Sequence, residues 1–135
     1  MLPHVAMDSG ATHSIFPSFF ADPSTVVATS QSLVSATSQG TRIPLGRGTV
    51  VFGLQDDSGV VRFFREDAYL YDGLPVALLS VSHLAERGSF FDFYGDQPGL
   101  FAGHSFYPFS QCHGLYMANL SPLPHNLDFF SVPRG

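Results

Sequence analysis

At 135 residues, with 44% hydrophobic and 14% aromatic side chains, the chain is long enough to bury one core and too short for two domains. A formal net charge of -5 with no cluster of Lys or Arg excludes the electrostatic footprint of a nucleic-acid-binding surface. The single cysteine, Cys112, excludes an internal disulfide, and no apolar run reaches the length of a signal sequence or a membrane span, so a reducing, cytoplasmic setting without a membrane partner is expected.

Charged residues are only 13% while there are 13 glycines and 10 prolines, a balance that predicts an all-β fold punctuated by turns. In chain order, residues 3–7 read as a short apolar strand entering the tight-turn cluster Asp8-Ser9-Gly10-Ala11-Thr12. Ile15, Phe16, Phe19 and Phe20 then recur at a helix-like spacing, with Ser14 as a cap and Pro17 and Pro23 limiting the piece to about a turn. From residue 32 to 71, apolar stretches alternate with the separators Ser38-Gln39-Gly40, Gly46-Arg47-Gly48 and Asp56-Asp57-Ser58-Gly59, which predicts a meander of hairpins.

Residues 74–79 form a continuous apolar run that reads as a strand buried on both faces; Ser80 then caps a short helix over 81–87, ended by Gly88. Further short strands are expected around 90–94, 100–101, 106–109 and 115–117, and the chain is divided into a domain over 1–121 and a tail over 122–135.

The chemistry is sought first at Asp8-Ser9-Gly10. A carboxylate at the end of a buried strand is held in a water-poor place, a following glycine lets the backbone turn and offer an amide, and the hydroxyl between them can bond across to a partner chain. Two such carboxylates side by side share one proton, so that one activates a water and the other donates to a substrate carbonyl. The second Asp-Ser-Gly, at residues 57–59, lies between two apolar stretches and has the make-up of an exposed hairpin turn. Since 135 residues cannot hold two complete lobes, a second catalytic aspartate has to come from another chain.

Asp8-Ser9-Gly10-Ala11-Thr12-His13 resembles the active-site signature of copia-type retrotransposon proteases. The stretch from Tyr71 through Gly73-Leu74-Pro75-Val76 and Leu78-Leu79-Ser80-Val81-Ser82 to Leu84, and the tract Gly114-Leu115-Tyr116, are similar to later segments of the same family, in the same order. The resemblance implies a retropepsin-like, single-lobe acid protease barrel with one short helix, acting as a homodimer on polypeptide, its own Gag-Pol polyprotein, in the cytoplasm or in virus-like particles. It implies Asp8 as the catalytic carboxylate with Ser9 and Gly10 as its supports. Thr12, Leu78, Leu79 and Ser80 would brace the active site, and Ser38, Gln39 and Gly40 would form the substrate flap. No cofactor and no metal are implied.

Two other readings stay open on the sequence: a domesticated copy that keeps the fold as an inactive dimerising or peptide-binding module, and a retropepsin-like domain of a host protein linked to ubiquitin handling. Cys112-His113 lacks the second ligand pair that a structural zinc site needs. His13 is read as structural. Most of the 14 phenylalanines are expected in the core, with Phe129-Phe130 a candidate contact.

Overall fold

The computed structural model describes residues 4–29, 33–34, 41–42 and 46–124. Strand β1, His4–Asp8, alternates its side chains between two faces: Val5 and Met7 enter the main core, whereas Ala6 belongs to a second, smaller apolar cluster on the opposite face. Strand β2, Ile15–Phe16, replaces the helical start expected there. Pro17 biases the residue before it toward extended backbone, and only after Pro17 does a single 3-10 turn form, at Ser18–Phe20. Ser14, expected as a cap, instead accepts the Ser80 N–H on its hydroxyl at 3.0 Å. A second 3-10 turn, Pro23–Thr25, is capped by Asp22, which accepts from the Ser24 N–H at 3.0 Å.

Strands β3, Leu33–Val34, and β4, Thr41–Arg42, pair antiparallel. The expected flap tip, Ser38, Gln39 and Gly40, lies outside the described residues. Strands β5, Gly46–Gln55, and β6, Val61–Leu70, form a long hairpin in register from Gly46 opposite Leu70 to Gln55 opposite Val61. The Gly46-Arg47-Gly48 separator is therefore not a turn but the start of β5. Its glycines answer a close approach: Arg47 and Val27 exchange backbone hydrogen bonds at 2.8 and 2.9 Å, and a Cβ at position 46 would stand 2.7 Å from the Val27 carbonyl oxygen.

Strand β7, Ala77–Ser80, starts later than the apolar run suggests, because the chain bends through 72–76 and Pro75 has no N–H to give to a ladder. Helix α1, Val81–Ala85, follows immediately, with Ser80 as its N-cap. The rest is short strands: β8, Phe90–Asp92; β9, Gly99–Ala102; β10, Ser105–Pro108; β11, Ser110–Cys112; β12, Leu115–Asn119; and β13, Ser121–Pro122. Pro122, placed in the tail by the sequence reading, pairs opposite Phe52 in β5; Phe129 and Phe130 lie outside the described residues.

Among the described residues the protein is thus built of β-strands with one short α-helix. An eight-stranded sheet runs β11-β12-β1-β7-β2-β6-β5-β13, a three-stranded sheet runs β10-β9-β8, and β3 pairs with β4. The large sheet is an open ladder ending in β11 and β13, not a closed ring, among the described residues. Its main core is aromatic-rich: Phe16 and Phe52 stack at 4.9 Å, Phe52 and Phe64 at 5.5 Å, around fully buried Val5, Leu79, Leu100 and Leu120. Burial of one such Leu or Phe contributes on the order of 1.5–3 kcal/mol. Phe19, Phe90 and Phe101 are exceptions on the surface, the last two stacked on each other at 4.8 Å. Among the described residues no helix is long and apolar enough to cross a membrane.

Candidate active site

Asp8 ends a strand held from both sides. β1 pairs antiparallel with β12 and parallel with β7, in a register that sets Asp8 beside Ser80, Met7 beside Leu79 and Ala6 beside Leu78. The Gly10 N–H donates to Asp8 Oδ1 at 2.9 Å, so the turn after the strand fixes the carboxylate's orientation. A Cβ at position 10 would meet that same oxygen at 3.6 Å, an ordinary contact, so nothing within one chain requires glycine there.

Ser80 joins this loop to the scaffold. Fully buried, its hydroxyl donates to the Ala11 carbonyl at 2.8 Å and accepts the His83 N–H at 3.2 Å, while the Ser82 hydroxyl stands 3.0 Å away. One side chain thereby caps α1 and ties it to the loop that follows Asp8, and the Ser80 N–H to Ser14 bond closes the other end of that loop.

The carboxylate itself is half-buried and Ser9 and Gly10 are exposed, so a single chain does not supply the water-poor setting expected from the sequence. The reason is one-sidedness. On the Asp8 face the sheet carries buried Ala6, Ile15 and Leu78, rimmed by half-buried Tyr71, Leu74, Val76, Leu115 and Met117, and this cluster stands apart from the main core. Asp8 opens into a cleft of about 430 Å³ whose walls include Ser9, Leu78, Phe93, Tyr94, Leu115 and Tyr116. Among the described residues, Asp8 is the single carboxylate in that lining.

The residues singled out from the sequence divide accordingly. Asp8, Ser9 and Leu78 meet at the cleft; Ser80 and Leu79 sit behind it, Leu79 wholly within the main core. Thr12 does not join them: it is exposed and lines a separate cavity of about 200 Å³ with His13, Arg47 and Asp67. The aromatic wall of Phe93, Tyr94 and Tyr116 was missed. A signal existed in His113-Gly114, a dipeptide suited to a two-residue hairpin turn; both residues have positive φ, 51° and 81°, which makes the type I′ hairpin that carries Leu115 and Tyr116 to the cleft.

The second Asp-Ser-Gly is the turn of the β5–β6 hairpin, where Asp57 is exposed. Its neighbour Asp56 does the structural work. Asp56 is buried and accepts from the Ser58 hydroxyl at 2.7 Å, the Ser58 N–H at 3.0 Å, the Val60 N–H at 2.9 Å and Arg62 Nε at 2.9 Å. The Ser58 hydroxyl, then Arg62, hold its carboxyl well below the usual carboxylate range.

No family model, no curated protein and no solved structure matches the chain.

Proposed function

We propose that the chain is one half of a homodimeric, retropepsin-like aspartic endopeptidase, in which Asp8 of each copy meets the other across a two-fold axis. The observation that carries this reading is the placement of Asp8: it ends a strand locked in register against β7, beside a serine that braces its loop, on an apolar face with no second carboxylate in its cleft among the described residues. Hydrolysis of a peptide bond by carboxylates needs one to take a proton from water and one to give a proton to the carbonyl oxygen. A single Asp8 serves half of that, so the symmetric partner supplies the other half. The half-buried rim of Tyr71, Leu74, Val76, Leu115 and Met117 supports a face that is covered in the working state, by the second copy and by an extended peptide. The resemblance of the signature segments to copia-type proteases makes the native substrate a polyprotein containing this domain.

The test is cleavage of an inactive polyprotein fragment spanning the domain's own boundaries, at mildly acidic pH, by wild type, Asp8→Asn and Asp57→Asn. Cutting is expected from wild type and Asp57→Asn, and a loss of at least about a thousandfold from Asp8→Asn, on the scale of removing a catalytic group. A wild-type dimer that cuts nothing would leave the inactive peptide-binding module as the better reading.

A further inference from the structure

We propose that the cleft between the Phe93-Tyr94 loop and the tip of the β11–β12 hairpin is a subsite for one large apolar side chain of the peptide substrate, and that Tyr94 and Leu115 set its preference. The inference rests on the proteolytic reading of Asp8, since the subsite matters by adjoining that carboxylate in one continuous cleft.

Both walls are built rather than incidental. On one side Asp92 Oδ1 accepts the N–H of Tyr94 at 2.9 Å and of Gly95 at 3.1 Å, which pins the backbone and presents Tyr94 outward with 96% of its surface exposed. A Cβ at position 95 would stand 2.6 Å from the other Asp92 oxygen, so a side chain there would have to displace that carboxylate oxygen. On the other side the hairpin holds Leu115 on the Asp8 face of β12, as the register of Ala6 opposite Met117 and the strand's alternation require. The two walls are tied together: the Tyr116 hydroxyl donates to the Phe93 carbonyl at 3.4 Å, and their rings meet edge to face at 5.2 Å.

A solvent-exposed tyrosine on a pinned backbone at the mouth of a cleft is unfavourable for the free chain and useful to a docking one, because docking removes its apolar ring from water. The occupant follows from charge and chemistry. Among the described residues Asp8 is the one charged group in the lining, which opposes an acidic side chain, while Leu78, Leu115 and the aromatic rings match a phenylalanine, leucine or methionine.

The experiment uses peptides identical except for Phe, Leu, Ala or Asp at the residue adjoining the cut, with kcat/KM measured for wild type, Tyr94→Ala and Leu115→Ala. Wild type is expected to favour Phe over Ala by about tenfold or more, the discrimination a hydrophobic pocket makes. Each variant is expected to reduce that ratio several-fold; Tyr94, being exposed, can be replaced without disturbing the core. An unchanged ratio in both variants overturns the subsite while leaving the protease reading intact. Binding is followed separately on Asp8→Asn by amide chemical shifts. Shifts around Tyr94 and Leu115 with the Phe peptide and not the Ala peptide sustain the subsite even if wild type cuts nothing, and shifts located elsewhere overturn it.

Discussion

Asp8 and Asp57 each begin an Asp-Ser-Gly, and their surroundings separate them. Asp8 has one backbone donor at its carboxylate and an open cleft in front of it. Asp57 stands exposed on a turn whose geometry is held by Asp56. Because the Asp56 carboxyl is held below an aspartate's ordinary 3.8, its contribution to stability is complete above that pH and is lost as pH falls toward its lowered value in the fold. Asp56→Ala is therefore expected to lower the denaturant midpoint by a constant amount at neutral pH, with the gap to wild type closing below about pH 4. Unfolding curves of both proteins from pH 7 down to pH 2.5 check this; a gap independent of pH would show that the turn is held by packing and not by charge.

At the scale of elements, the join of β1, β7 and α1 decides whether Asp8 is presented at all. Parallel pairing sets Asp8 level with Ser80, and the serine hydroxyl holds both the loop after Asp8 and the first turn of the helix. An isolated five-residue helix has no stability of its own, so α1 depends on this cap and on Leu84, which is buried in the main core. Ser80→Ala is expected to cost about 0.5–2 kcal/mol, the range for losing an N-cap hydroxyl. Amide exchange should accelerate selectively at His83 and through residues 9–14, while the β5–β6 hairpin keeps its protection. Uniform acceleration across the protein would argue that Ser80 has no local role in bracing the loop.

For the whole molecule the distinguishing feature is the partly exposed Asp8 face. The large core beneath the sheet is closed, with Phe52, Leu79 and Leu120 fully buried, whereas the smaller cluster around Leu78 has a rim still partly in water. A dimer whose active site draws one carboxylate from each copy has a kinetic signature. Below its dissociation constant the cleavage rate should rise with the square of protein concentration, and above it in direct proportion. Met117→Arg and Leu74→Arg, which place charge on that rim, are expected to move the crossover to higher concentration. A rate strictly proportional to concentration down to the most dilute sample tested would rule out an active site shared between copies.

The sequence by itself determined the all-β class, the long hairpin with its Asp-Ser-Gly turn, and the serine-capped helix after β7, because these are set by local chemistry: turn residues, apolar runs and a cap. It went wrong where distant segments compete for the same backbone. Residues 15–16 became a strand because β6 and β7 were there to pair with them, and Gly46 and Gly48 became strand because the 25–27 segment packs against it. Thr12, within the signature segment, turned to another cavity, while Tyr94 and Leu115, far along the chain, came to stand beside Asp8. Only the tertiary structure decided those neighbours, since the pairing of β12 with β1 spans more than a hundred residues and no local spacing encodes it.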